Sequence, residues 1–164
     1  MTVDLFYRVG RPFANGTIGW LTDWQDFWQG QRVNADPFMA LDSAGYPVVS
    51  WSEGIDLVHT CPYVMKSDMK NGTWHTAPDY PIQLTSAPYT TDSFLVPLSS
   101  NRMLTFYFSA PGKIYSKLLD SNNSLGSEET VKSSNMRNSV HSREILLVDY
   151  LQNHKSWEKS NMIL

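Results

Sequence analysis

Two stretches decide the fold: Phe38-Met39-Ala40-Leu41-Asp42-Ser43-Ala44-Gly45-Tyr46-Pro47-Val48-Val49-Ser50-Trp51 and Phe94-Leu95-Val96-Pro97-Leu98-Ser99-Ser100-Asn101-Arg102-Met103-Leu104-Thr105-Phe106-Tyr107. Aligned without a gap, they lie 56 positions apart throughout (38 to 94). Each holds an apolar segment, a polar turn and a second apolar segment closed by aromatics. That is the pattern of an antiparallel hairpin, with Asp42–Gly45 and Ser99–Arg102 as the turns. Upstream, Asn15-Gly16-Thr17 recurs at the same offset as Asn71-Gly72-Thr73. A weaker third copy, Ser139 to Tyr150, again sets a polar turn before an apolar segment.

Further strand-like pieces extend each copy. Tyr63–Ser67 and Asn71–Trp74 follow the first hairpin; Lys113–Leu118 and the Asn122-Asn123-Ser124 turn follow the second. Val3–Val9 and Thr17–Trp20 read as the last two strands of an earlier unit. Four short strands in roughly 50 residues, repeated, is the signature of a β-propeller blade. A four-stranded sheet cannot bury both its faces, so neighbouring sheets must cover it. The expected architecture is all-β, with antiparallel four-stranded blades of propeller type in an incomplete propeller of about three blades. The units are approximately 1–33, 34–88 and 89–135, with a partial one at 136–164. Trp20, Trp24 and Trp28 recur every four residues, and Thr22 with Gln25 matches a capping box, so this segment reads either as a short helix or as an outer strand.

Composition bounds the function. Charged residues make up only 18% of the 164, and the net charge of −3 disfavours an electrostatic nucleic-acid binder. Residues 1–60 hold three basic and seven acidic side chains, a balance that repels phosphate. The longest aliphatic run, Ile145–Val148, is far short of the roughly 20 residues that span a bilayer, so no membrane partner is expected. Cys61 is the single cysteine, which rules out an internal disulfide and a Cys-based zinc cluster; it reads as a small buried residue. His59, His75, His141 and His154 share no metal-ligand spacing, so neither metal nor cofactor is expected. Three Asn-X-Ser/Thr tripeptides, at Asn15, Asn71 and Asn122, read as turns, and the compartment stays open.

The stretch Ser67-Asp68-Met69-Lys70-Asn71-Gly72-Thr73-Trp74 resembles an Asp-box, the Ser-X-Asp-X-Gly-X-Thr-Trp turn of sialidase-like and BNR-repeat propellers. Met69 stands where the motif has Asp, and Asn71 where it has Gly. The resemblance implies a structural role: a hairpin between the third and fourth strands of a blade, with Ser67 and Thr73 tying the turn and Trp74 packed between blades. Such propellers have six blades, about twice this chain. The resemblance therefore implies a part of a longer chain, or a protomer that closes by homo-oligomer formation.

The same resemblance sets a test for catalysis. Sialidase-type hydrolysis needs an arginine cluster, a tyrosine nucleophile with a carboxylate base, and an acidic proton donor. The family's Phe/Tyr-Arg-Ile-Pro stretch is approached by Phe6-Tyr7-Arg8-Val9, but Gly10 takes the place of Pro. Nothing marks a triad among Arg8, Arg11, Arg32, Arg102, Arg137 and Arg143. Non-catalytic recognition of a glycan or a protein is the leading expectation; a hydrolase fragment and a self-assembling scaffold are the alternatives. For recognition the candidates are Trp24 and Trp28, aromatic rings with polar neighbours suited to sugars, together with the loop carboxylates Glu53 and Asp56.

Overall fold

The computed structural model describes residues 4–28, 32–54, 56, 59–87, 90–109 and 112–133. The third sequence copy and the partial unit at 136–164 lie outside them. Every regular element among the described residues is a strand.

Two four-stranded antiparallel sheets form the body, each a meander of sequence neighbours. The first runs β5 (Val33–Leu41), β6 (Pro47–Gly54), β7 (Thr60–Lys66) and β8 (Ile82–Gln83). The second runs β9 (Thr90–Pro97), β10 (Met103–Ser109), β11 (Lys113–Leu119) and β12 (Glu129–Ser133). The offset of 56 holds residue for residue in their first hairpins. Phe38 pairs with Ser50 and Phe94 with Phe106; Leu41 pairs with Pro47 and Pro97 with Met103. Even the irregularity repeats: Ala35 pairs with Ser52 and Thr91 with Phe108, each beside a bulge.

The hairpin turns share one geometry. Asp42 N donates to Tyr46 O at 2.9 Å, and the same i-to-i+4 bond closes Leu98–Arg102, Asp120–Ser124 and Phe13–Thr17. Each contains a residue in the left-handed region, Gly45, Asn101, Asn123 or Gly16, which is why Gly and Asn stand there.

Alternation along β6 divides its side chains between two apolar layers. Val48 joins Val64 and Leu84 against Leu95, Met103, Tyr107 and Leu119 of the second sheet. Val49 and Trp51, with Met65, face the other way onto Leu5 and Phe27. Those last two belong to a small sheet of β1 (Leu5–Tyr7) and β4 (Gln25–Trp28). Three sheets thus follow one another along the chain and cover each other's faces. On its far side the second sheet gathers Phe94, Val96, Leu104, Phe106 and Ile114.

The N-terminal unit departs from the expectation. Leu5–Tyr7 does not neighbour Ile18–Trp20 as consecutive strands of one sheet; it pairs with Gln25–Trp28. Between them, β2 (Gly10–Pro12) and β3 (Ile18–Trp20) form a hairpin of their own. The tight Phe13–Thr17 turn closes this hairpin locally, leaving β1 to pair across it. The Trp20–Trp28 segment, open between helix and strand in the sequence, holds the last residue of β3 and the whole of β4. The four-residue spacing is also compatible with a strand, where i and i+4 share a face.

Candidate functional site

The sheets have two chemically different ends. One carries the turns 42–46 and 98–102, the Ser67–Thr76 loop and the turn 120–124. The other carries the start of β5, the end of β6 and the start of β7, where Asp56 lies.

At this second end β4 and β6 bring Trp28 and Glu53 together. Trp28 Nε1 donates to Glu53 Oε2 at 2.8 Å. The Trp28 ring centroid lies 5.6 Å from that of Trp51, which stacks on Tyr63 at 5.7 Å and 23°. Trp51 itself is fully buried and donates its indole N–H to Asn34 Oδ1 at 3.1 Å. Burial pushes the Tyr63 hydroxyl up, the Glu53 and Cys61 charges add to this, and Arg32 opposes it. Trp28 and Glu53 are partly exposed, so an indole edge and a carboxylate remain open to solvent together. Asp56, exposed, accepts from His59 N at 2.7 Å and meets His59 Nδ1 at 2.9 Å, which closes the β6–β7 loop.

Trp24 is not part of this group. It precedes β4 at the opposite end of that strand and is 68% exposed. Arg8 lies against it at 5.3 Å and against Trp20 at 4.5 Å, a guanidinium between two indoles.

The Asp-box-like residues separate into those that tie the loop and those that pack. Ser67 is fully buried, and its Oγ accepts from Met69 N at 3.1 Å and His75 N at 3.3 Å. Asn71 Oδ1 accepts from Thr73 N at 3.0 Å, and both residues are exposed. Trp74 packs edge-on against Phe27 at 4.3 Å and tilted against Tyr7 at 6.4 Å, between the small sheet and the first four-stranded sheet. Its backbone N–H donates to the Tyr7 hydroxyl at 2.9 Å.

Two polar groups stand out that the sequence did not single out as sites. Asp42, expected as a turn residue, has a carboxylate with no solvent exposure, paired with Lys66 Nζ at 2.6 Å. Its Oδ1 also accepts from Ala44 N and Tyr46 N at 3.0 and 2.8 Å. Burial pushes this carboxyl up, but the Lys66 and backbone hydrogen bonds outweigh it and hold it below the usual range. Tyr107, the counterpart of Trp51, is fully buried and donates to Glu128. Burial and that carboxylate drive its hydroxyl far above the ordinary range.

That last pair bears on catalysis. A tyrosine beside a carboxylate is the sialidase nucleophile arrangement, but Tyr107 has no access to substrate and its hydroxyl is made a weaker acid. The described arginines are scattered: Arg8 lies against Trp20 and Trp24, Arg11 stands on β2, Arg102 donates to Ser99 O in its turn, and Arg32 adjoins β5 near Tyr63. Cys61, read as buried, is partly exposed near the start of β7, where it pairs with Glu53; its Sγ donates to Ala87 O at 3.6 Å. Among the described residues no three His, Cys, Asp or Glu side chains gather as a metal site, and no helix is long and apolar enough to cross a membrane. The chain matches no protein-family model, and no curated protein matches its sequence.

Proposed function

We propose that this chain is a non-catalytic recognition segment built from propeller-type blades, and that it takes a glycan at the end where Trp28, Glu53 and Asp56 lie. The blade reading is supported by two stacked four-stranded meanders whose first strands, β5 and β9, touch. One observation carries the site: the 2.8 Å bond from Trp28 Nε1 to Glu53 Oε2. It fixes an indole beside a carboxylate whose other oxygen can accept sugar hydroxyls, while the apolar face of a pyranose stacks on the ring. Asp56 extends the acceptor set along the neighbouring loop. Trp24, at the far end of β4, belongs to a separate surface.

Tryptophan fluorescence titrated with a panel of neutral and sialylated oligosaccharides tests this. A saturable shift is expected for at least one glycan, weakened ten-fold or more by Glu53→Gln and by Trp28→Phe. A flat response across the panel overturns the reading. The hydrolase alternative predicts release of the fluorophore from a sialoside; the buried Tyr107 argues for no turnover.

A further inference from the structure

Residues 8–22 form an arm that leaves the body. β1 ends at Tyr7 beside Trp74, and Val9 then passes against Gly72, so the β2–β3 hairpin continues beyond the end that carries the turns. A two-stranded hairpin is marginal in water by itself. This one is also strongly apolar: Phe13 is 54% exposed, Ile18 53%, Trp20 52% and Leu21 66%. Both faces contribute, with Phe13 lying over Gly19 and with Ile18 and Trp20 over Gly10. Exposed apolar surface of this extent marks a docking element.

We propose that the arm docks on a second copy of this chain, laying β3 along the open edge of β5. β5 is the outer strand of the first sheet, hydrogen-bonded among the described residues to β6 only, with β9 of the second sheet touching it and Phe94 packed 6.5 Å from Phe38. Beyond its bulge it exposes Phe38, Met39 and Leu41, the last two at 53% and 55%. Arm and edge together hold seven of the ten large hydrophobic side chains that are exposed among the described residues, and one chain carries both.

Three observations select this occupant. Pro12 blocks the ladder on β2, whereas Ile18-Gly19-Trp20 of β3 and the Phe38–Leu41 part of β5, beyond Pro37, lack proline and belong to edge strands suited to strand addition. Residues 5–22 carry Arg8 and Arg11 and no carboxylate, which leaves the rest of a chain of net charge −3 at −5; arm and body attract between copies. The arm ends in the polar turn Ala14-Asn15-Gly16-Thr17, which suits a protein edge and opposes tip-first entry into lipid. The inference stands apart from the glycan reading, since it uses the opposite end of the molecule.

Sedimentation velocity of the full chain across micromolar concentrations tests it. The expected result is association beyond the 18.7 kDa monomer. An arm variant (Ile18→Glu with Leu21→Glu) and an edge variant (Met39→Glu with Leu41→Glu) should each raise the apparent dissociation constant at least ten-fold. Mixed together they should form a one-to-one heterodimer, because one keeps an intact edge and the other an intact arm. Circular dichroism and thermal melting confirm that each variant is folded, and the corresponding serine variants serve if a glutamate variant is not. The proposal fails if the wild-type chain stays monomeric, if either variant associates like wild type, or if the mixture shows no heterodimer. It also fails if the chain is monomeric in buffer and sediments with phosphatidylcholine–phosphatidylserine vesicles.

Discussion

Asp36 and Asp92 occupy one and the same bulge in successive sheets, at φ 52° and 51° and 56 positions apart (36 to 92). A left-handed backbone angle at a residue other than glycine is uncommon, and its repetition at equivalent positions shows that both sheets bend their first strand by one device. Asp tolerates this region better than most residues; a β-branched side chain does not. Asp36→Val and Asp92→Val should each cost about 1–2 kcal/mol, with similar values for the two sites. Chemical denaturation of both variants checks this.

Asp42 links a turn to the neighbouring strand through Lys66. Its carboxyl is held below the ordinary 3.8, so the folded state favours the charged form. The stabilisation is complete above the unfolded value and disappears as pH falls through the lower folded value. Asp42→Ala should lose about 2–3 kcal/mol at neutral pH, less than a fully dry pair because Lys66 retains some exposure. The variant should also show a flatter decline of stability below pH 4 than the wild type, read from urea midpoints.

Tyr80 and Tyr107 set the alkaline limit. Burial, with the Asp42 charge added, pushes Tyr80 up to about 12, and its hydroxyl donates to Asn123 Oδ1 at 2.9 Å. Tyr107 is raised further by burial and Glu128. Groups raised on folding contribute fully below the unfolded value near 10 and lose that contribution as pH climbs through the folded one. Spectrophotometric titration should therefore show three tyrosines, Tyr63 among them, ionising late, with stability falling above pH 10. Tyr80→Phe and Tyr107→Phe should each make that fall shallower.

Trp51 is the largest side chain with no exposure, wedged between Phe27, Trp28 and Tyr63. Trp51→Ala should cost about 3–5 kcal/mol, and near-ultraviolet circular dichroism should lose most of its aromatic signal. Trp24→Ala, at an exposed site, should change stability by less than about 1 kcal/mol.

How far the sequence could be read follows from what fixes each feature. The Phe38–Trp51 and Phe94–Tyr107 hairpins were legible because alternation and turn chemistry are local, and the pairings carry the same offset. The pairing of Leu5 with Trp28 was not, since it spans an inserted hairpin and is chosen by packing against Trp51 rather than by any adjacent residue. Asn15-Gly16-Thr17 and Asn71-Gly72-Thr73 do make the same local turn, the Asn side chain capping the Thr amide at 3.1 and 3.0 Å. Yet the first closes a tight hairpin and the second sits in a longer loop, so the shared tripeptide overstated the likeness of the two units. At the candidate site, the Trp28–Glu53 bond crosses from one sheet to the next, and no spacing within either strand announces it. Polar neighbours likewise could not tell the exposed Trp24 from the half-covered Trp28.

The meander order has a kinetic side. Each strand of the two larger sheets pairs with a strand next to it in the chain, and two of the joins are five-residue turns closed by the same backbone bond, which also opens the β11–β12 connection. Little loop-closure entropy is spent before the first contacts form, so this chain should refold faster than a Greek-key sandwich of equal length. Whole sheets could in turn be duplicated or deleted in evolution without rethreading what remains.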